Sequence, residues 1–204
     1  MSAKHPIVGL TGSSGAGTTT TGRTIKGFLE EAGYLSVAVE GDSFHRYTRA
    51  EMSEFAAQGR FGSANHFSVE ANHIDKLEEL FIQYGLQGAG RFRSYVHNDD
   101  HELIAAGLAP GTFTDWNPIA PGSDCLFYEG LHGGLVLPGC NIARHVDLLI
   151  GVAPIVNLEW IQKIHRDTHR RGYSEEAVVS TIVNRMDDYL HYIVPQFANT
   201  HINI

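Results

Sequence analysis

A glycine-rich segment near the start of the chain has the residue types and spacing of a phosphate-binding loop. Gly12 and Gly17 occupy the two glycine positions of the pattern G-x-x-x-x-G-K-[ST], Thr19 supplies its hydroxyl, and Thr18 stands where the pattern has lysine. An apolar run before the loop and helical spacing after it predict a strand, a turn and a helix N-terminus whose N–H groups face an anion. The alternative is a Gly/Ser turn that binds nothing. We disfavour it because the glycine spacing, the hydroxyl and the flanking elements all match the pattern. The residues expected to bind nucleotide phosphates are Gly12, Ser13, Ser14, Gly15, Ala16, Gly17, Thr18 and Thr19.

Two carboxylates follow predicted strands and are expected at one edge of the sheet. Asp42 comes after the strand predicted at 36–40, and Glu129 comes after the one predicted at 125–128. In open α/β sheets, ligands bind outside the carboxyl ends of the strands. Phosphoryl transfer needs one group for the proton of the attacking hydroxyl and another to hold Mg²⁺. We predict that Asp42 is the catalytic base and that Glu129 and Thr19 are metal ligands; the alternative is that either carboxylate only caps a turn.

The missing loop lysine requires another cation near the phosphates, and a basic helix can supply it. Lys163 and Arg166 are three residues apart in a helix predicted around 157–172, so they share one face, with apolar residues on or near the opposite side. We interpret this helix as a lid over the phosphates, ended by Gly172. The alternative is a solvated charged face, which is the usual role of a charge run. The run is almost purely basic in an acidic chain, and this favours the lid.

Two further basic clusters indicate that the acceptor also carries a phosphate. One cluster directly follows Asp42, and the other lies in the segment 91–97. Guanidinium groups bind phosphate through paired hydrogen-bond donors. Two histidine pairs at i, i+4 spacing could ligate a metal, but the sequence offers no obvious third ligand, so a zinc site is disfavoured. The members of the two basic clusters are His45, Arg46 and Arg49, then Arg91, Arg93 and His97.

The length and the order of predicted elements indicate one α/β domain over residues 1–204. The chain has 204 residues, of which 43% are hydrophobic and 19% charged, an ordinary globular composition. Strands alternate with helices, which predicts a P-loop NTPase-type, mostly parallel sheet with helices on both faces. Residues 85–122 hold many glycines and prolines and read as a long irregular insertion. Ser174 is placed to cap a last long helix that ends near Pro195.

Charge and hydropathy exclude several classes of function. The formal net charge of −8 argues against a nucleic-acid binder, and no apolar stretch approaches the ~20 residues of a membrane span. The two cysteines provide no disulfide framework, and no signal or transit peptide is recognisable at the N-terminus. We therefore expect a cytoplasmic protein without a nucleic-acid or membrane partner.

Short motifs are spread along almost the whole chain: TGSSGAGT at 11–18, EGDSFHR at 40–46, YVH at 95–97, FTDW at 113–116, FYEGLHG at 127–133, NLEWIQKIHRD at 157–167, RGY at 171–173 and IVPQF at 193–197. Together they resemble the phosphoribulokinase family of the bacterial type, within the phosphoribulokinase/uridine kinase group of P-loop kinases. That type itself has threonine at the position of Thr18. Its members continue past the position of Ile204, so this chain is expected to lack their C-terminal segment.

The resemblance implies ATP-dependent phosphorylation of ribulose 5-phosphate to ribulose 1,5-bisphosphate, the Calvin-cycle reaction, with Mg²⁺. It implies that Lys163 and Arg166 contact phosphates during transfer, and that the protein is a homo-oligomer whose partner molecule is a small sugar phosphate. Two alternatives stay open: a uridine-kinase-like nucleoside kinase, and a catalytically weak nucleotide-binding or regulatory relative. The resemblance assigns His45, Arg49 and Arg171 to the sugar phosphate, and we predict that Tyr95 and His97 bind it as well.

Overall fold

The computed structural model describes residues 4–58 and 65–204. Short helices and strands are interleaved along this part of the chain. In chain order they are β1 (Ile7–Gly12), α1 (Thr18–Glu31), β2 (Ser36–Glu40), α2 (Arg49–Ala57), α3 (Ile74–Gln87), β3 (Arg91–Phe92), α4 (His101–Ala105), β4 (Asn117–Pro118), β5 (Cys125–Gly130), β6 (Val136–Leu137), β7 (Cys140–Asn141), β8 (Leu148–Val152), α5 (Val156–Arg171), α6 (Glu175–Asn184), α7 (Met186–Asp188) and β9 (Ile202–Asn203).

The central sheet has five strands in the order β2-β5-β1-β8-β9, and every neighbouring pair is parallel. The parallel direction brings the carboxyl ends of β1, β2 and β5 to the same edge. In this register Leu10 lies beside Glu129 on one side of β5, and Glu40 lies beside it on the other. The strand order therefore places the phosphate loop and both predicted carboxylates at one edge.

Helices cover both faces of the sheet, as the sequence predicts. Alternate residues of β5 point to opposite faces, because side chains along a strand alternate. Leu126 and Tyr128 pack with α3 in the larger apolar core, and Phe127 packs in a second core beside α1. The α3 residues in the larger core are Ile74, Leu77, Leu80, Phe81 and Tyr84. The α/β prediction is therefore confirmed, with α1 and α3 on opposite faces.

The segment 85–122 contains little regular structure. It includes the last turn of α3, the five-residue α4 and an antiparallel pair formed by β3 and β4. Tyr95 and Phe113 form an isolated antiparallel bridge within it. These pairings bring the YVH motif at 95–97 towards the end of β2, where His97 faces Asp42.

The ends of the C-terminal helices follow local signals only in part. Gly172 has φ 74° and ends α5, and the Ser174 hydroxyl accepts from Ala177 N at 3.2 Å at the start of α6. The prediction of one long helix up to Pro195 is wrong, because α6 stops at Asn184 and the chain continues through α7 and irregular helical turns. Across residues 4–58 and 65–204, no helix combines the length and the apolar character needed to cross a membrane.

Candidate active site

The phosphate loop connects β1 to α1 and uses glycine where the backbone requires it. Gly15 and Gly17 have φ of 113° and 101°, values that other residues rarely adopt. Gly17 precedes the first residue of α1, so the N-terminal N–H groups of a 14-residue helix open onto the loop. These groups and the helix dipole favour an anion at the loop, although the loop itself contributes no side-chain cation.

Helix α5 lies directly on this loop. A Cβ atom at Gly15 would be 2.8 Å from Lys163 Cβ and 2.9 Å from the Glu159 carbonyl oxygen, so the approach depends on the glycine. Two hydrogen bonds join the loop to the helix. Ser13 Oγ donates to the Glu159 carboxylate, and Arg166 donates from its guanidinium to Ser14 Oγ at 3.0 Å. The helix predicted as a lid therefore contacts the loop through its polar residues.

The inner face of α5 carries a buried charge cluster. Lys163 is only 7% exposed, and its Nζ lies 2.6 Å from Asp167 Oδ2. Arg166 Nε donates to Asp167 Oδ1 at 2.8 Å, and Arg171 lies 3.3 Å from the same oxygen while staying exposed. Burial lowers the pKa of Lys163 to about 8, although the hydrogen bond to Asp167 opposes this shift. Asp167 therefore contacts three cations, of which Lys163 and Arg166 lie beside the phosphate loop.

Oxygen ligands suitable for a hard cation lie at the first turn of α1 and the end of β5. Thr19 Oγ1 donates to Glu129 Oε1 at 3.1 Å. Burial raises the pKa of Glu129, and hydrogen bonds from Thr19 and Thr18 oppose that shift. Within the described ranges, no group of three or more His, Cys, Asp or Glu side chains is placed to hold a metal ion. A hydroxyl and one carboxylate still fit Mg²⁺, which is commonly bound by one or two protein groups together with substrate phosphates.

Asp42 lies in the turn after β2, surrounded by imidazole rings. Its Oδ1 is 3.1 Å from Nε2 of the buried His45, and its Oδ2 is 3.7 Å from His97 Nε2. Although burial opposes ionisation, the charge and hydrogen bond of His45 keep the pKa of Asp42 well below its usual range. The Asp42 side chain is still 39% exposed. It is an ionised carboxylate that a substrate hydroxyl can reach.

Three of the residues predicted to bind the sugar phosphate, Arg49, Tyr95 and His97, form an aromatic and basic wall beside Asp42, whereas Arg171 lies on α5 against Asp167. The Tyr95 ring lies edge-on to His97, with centroids 4.9 Å apart, and Arg49 Cζ is 6.0 Å from the Tyr95 centroid. Arg49 is exposed and donates to Asn98 Oδ1 at 2.7 Å. Carboxylates of Glu40 and Asp42 raise the pKa of His97. This wall places a guanidinium, an imidazole and a phenol ring next to the Asp42 carboxylate.

Arg91 and Arg93, which were predicted to bind phosphate, donate hydrogen bonds to backbone carbonyls instead. Arg93 Nε donates to the Ser43 carbonyl at 3.0 Å, and its guanidinium also donates to the His45 carbonyl. Arg91 donates to the Trp116 carbonyl at 2.6 Å. Arg93 therefore braces the turn that carries Asp42.

Three residues at the site escaped the sequence analysis. Glu159 contacts Ser13, Asn72 contacts His45, and Gly22 leaves room for Glu129, because a Cβ at Gly22 would be 2.7 Å from Glu129 Oε2. Glu159 lies four residues before Lys163, so helical spacing from the lysine was a usable signal. The contact of Asn72 depends on a neighbour 27 residues away and leaves no local pattern.

Comparison with known proteins identifies the family of this chain. Residues 7–204 match the phosphoribulokinase/uridine kinase family. The chain belongs to this family. Among its members, the probable phosphoribulokinase of Escherichia coli K12 is 52% identical over all of this chain and 71% of its own length. The phosphoribulokinase of Sinorhizobium medicae is 53% identical, again over the whole chain and 70% of its own length.

Two solved structures share the fold. The phosphoribulokinase from Rhodobacter spheroides superposes with a TM-score of 0.81 at 48% identity, covering 98% of this chain and 69% of that one. A possible uridine kinase from Bacillus stearothermophilus gives 0.60 at 16% identity, covering 99% and 89%, so it shares the fold alone. The similarity is therefore much greater to the phosphoribulokinase branch.

Proposed function

We propose that this chain is an ATP-dependent kinase that phosphorylates D-ribulose 5-phosphate to ribulose 1,5-bisphosphate, the carbon-fixation reaction of the Calvin cycle. We choose ribulose 5-phosphate as the substrate because the chain is 52% identical to curated phosphoribulokinases over its whole length. The site geometry supports the reaction type, because a phosphate loop and an ionised Asp42 lie at one sheet edge.

Asp42 is suited to act on the attacking hydroxyl. It takes the proton of the C1 hydroxyl as that oxygen forms a bond to the γ-phosphorus of ATP. The bond from phosphorus to the bridging oxygen breaks, and ADP leaves with its electron pair. His45 holds Oδ1 of Asp42, so Oδ2 is the oxygen better placed to accept the proton.

The charge that develops on the transferred group needs cations, and Thr18 supplies none. Lys163 and Arg166 are the candidates, since Arg166 already contacts Ser14 of the loop. Thr19 and Glu129 would hold Mg²⁺, which when bound neutralises phosphate charge. Arg49, His97 and the exposed Arg171 are proposed to hold the phosphate of the sugar.

An assay of ADP release across acceptors tests this function. Ribulose 5-phosphate, other pentose phosphates and nucleosides are compared at equal concentration, each with ATP and Mg²⁺. Turnover with ribulose 5-phosphate that far exceeds turnover with uridine supports the proposal. Turnover with nucleosides alone would indicate a nucleoside kinase. Binding of ATP without turnover of any acceptor would indicate a catalytically weak nucleotide-binding relative.

The proposal also covers the oligomeric state of the protein and its cellular location. A homo-oligomer in the cytoplasm, with a sugar phosphate as its small-molecule partner, is the arrangement that we propose from the family resemblance. Light scattering of the purified protein tests the first part. A monomer at micromolar concentration would contradict it.

A further inference from the structure

Asn72 is a buried residue next to the proposed base, and no motif includes it. It is 2% exposed and follows a short helical turn at Val69–Ala71. The backbone around it pairs with the turn after β2: His45 and Asn72 form an antiparallel bridge, and His73 N donates to the Phe44 carbonyl at 2.7 Å. This pairing places the Asn72 side chain against the ring of His45.

The hydrogen bonds of Asn72 determine the orientation of its amide group. Its Nδ2 donates to two backbone carbonyls, those of His66 at 2.9 Å and Ser68 at 2.7 Å. An amide nitrogen has two hydrogens and no acceptor capacity, so the nitrogen must face these carbonyls. The amide oxygen therefore faces His45, with Oδ1 lying 2.7 Å from His45 Nδ1.

An acceptor at this position requires a hydrogen on His45 Nδ1. The other ring nitrogen, Nε2, lies 3.1 Å from Asp42 Oδ1. An ionised carboxylate only accepts hydrogen bonds, so Nε2 must also carry a hydrogen. With both nitrogens donating, the ring is the imidazolium form. Asn72, His45 and Asp42 thus form a line in which every donor meets an acceptor.

Two further imidazole rings, those of His66 and His132, lie in the buried cluster around His45. The His66 ring stacks on that of His45 with centroids 3.6 Å apart and planes 12° from parallel. Burial, together with the charge of His45, lowers the pKa of His66 well below its ordinary value, and burial lowers the pKa of His132 to about 4. Both rings are therefore neutral at pH 7. The other ionisable or charged groups that face this cluster are Tyr95, His97 and Arg185.

We propose that Asn72 is a positioning residue for phosphoryl transfer: it holds His45 with both ring nitrogens as donors, so that Nε2 anchors Oδ1 of Asp42 and Oδ2 stays directed at the acceptor hydroxyl. The effect of Asn72 on turnover rests on the proposed kinase function, whereas the protonation of the His45 ring does not depend on any substrate. Without the amide oxygen, His45 loses the acceptor for Nδ1 and holds a single ring hydrogen. The positive charge beside the base is then lost and the ring is free to rotate.

Nitrogen NMR of the histidine rings tests the inference directly. In the full chain without substrate at pH 7, the His45 signals, assigned by comparison with His45→Gln, should show two protonated ring nitrogens. In Asn72→Leu they should show one. A single protonated nitrogen in the unsubstituted chain would overturn the proposal even if every variant at position 72 failed to fold.

Kinetics provide the second readout. Misplacement of a catalytic group by about 1 Å can lower turnover by about 100-fold, so Asn72→Leu should lose about 10- to 100-fold in kcat, with the ATP constant unchanged. Asn72→Asp keeps an acceptor facing His45 but loses both donors to the His66 and Ser68 carbonyls. It should restore the second ring hydrogen and retain more of the turnover than Asn72→Leu, even though it is less stable than the unsubstituted chain. Asn199→Leu is a control at a distance from His45, because the exposed Asn199 also donates to a backbone carbonyl, that of Gly134.

The outcomes separate this proposal from the proposed function. A purely structural role for Asn72 predicts two protonated ring nitrogens of His45 in both the Leu and the Asp variants, and that result would overturn the inference. If the unsubstituted chain shows two protonated nitrogens but no turnover of ribulose 5-phosphate, the proposed function fails and the assignment of the ring stands.

Discussion

The buried carboxylate of Glu159 on α5 accepts a hydrogen bond from the Ser13 hydroxyl in the phosphate loop. Its second oxygen accepts from Tyr189 Oη at 3.3 Å. Burial raises the pKa of Glu159, and the bonds from Ser13 and Tyr189 oppose that rise. One carboxylate therefore joins the loop, the proposed lid helix and the chain after α7.

Removing this carboxylate should destabilise the fold. In Glu159→Ala, the hydroxyls of Ser13 and Tyr189 lose their acceptor, so the free energy of unfolding should fall by about 1–3 kcal/mol. Urea denaturation measures the change. Glu159→Gln keeps an acceptor and should retain most of the stability, and the exposed Glu31→Ala should change it by less than about 0.5 kcal/mol. Equal losses in the Ala variants at 159 and 31 would contradict the joining role.

Replacing Asp42 with Asn should abolish most of the turnover while leaving ATP binding nearly unchanged. The change keeps the size and polarity of the side chain but removes the group that takes the hydroxyl proton. General-base contributions are about 10²- to 10⁴-fold, and kcat should fall by at least that factor. Steady-state kinetics and ATP titration measure the two effects. If the Asp42→Asn variant kept most of its turnover, Asp42 would be assigned to structure.

Variants on α5 should affect turnover more than substrate binding. Lys163→Met and Arg166→Ala each remove a cation that is proposed to meet charge developing on the transferred phosphoryl group. Each should lower kcat by about 10²-fold or more, with a much smaller rise in the apparent ATP constant. Arg144→Ala is the control, since Arg144 is exposed in the turn before β8, at the opposite strand end.

A lysine returned to the loop should not compensate for these losses. In Thr18→Lys combined with either α5 variant, the new ammonium lies in the loop, but the helix that closes the site over the phosphates still lacks its own cation. Turnover should stay at the level of the single α5 variant. Rescue by Thr18→Lys would show that only net charge near the loop matters.

The activity should fall as the pH rises through about 8. The pKa of Lys163 is lowered to about 8 by burial, and only its protonated form supplies the cation. Deprotonation above this value therefore removes a charge that transfer needs, and kcat/KM of the free enzyme should decline on the alkaline side. Lys163→Arg stays protonated, so its profile should lose this decline even if its maximal rate is lower. An identical alkaline decline in both proteins would assign it to another group.

Adding a methyl group at Gly15 should displace α5. The new Cβ would be 2.8 Å from Lys163 Cβ, and the backbone φ of 113° would also be strained. Gly15→Ala should therefore lower turnover by at least tenfold, because a 1 Å shift of positioned groups can cost about 10²-fold. Gly139→Ala also places alanine at positive φ, 84°, but its Cβ meets nothing within 4 Å, so it isolates the strain of about 1–2 kcal/mol. Kinetics and urea denaturation of both variants separate displacement from strain.

Local patterns in the sequence were sufficient for the elements that carry the site. The glycine spacing, the apolar runs before Gly12 and Glu129, and Gly172 as a helix stop each depend on a few consecutive residues. For this reason the loop, the α/β class and the position of Asp42 after β2 could be predicted, and Glu129, predicted just after a strand, lies in the last two residues of β5. The roles of the individual site residues stay predictions, and the experiments above test them.

Tertiary structure decided which side of α5 faces the loop and how Asp42 is held. The spacing of the helix separates its basic and apolar sides but does not say which one is inside; in the structure Lys163 is buried while Ile161 is 64% exposed. The contact of Asn72 with His45 likewise spans 27 residues. Such contacts depend on where the sheet brings distant segments together, and that placement is set by packing of the whole core, which no local pattern of residues encodes.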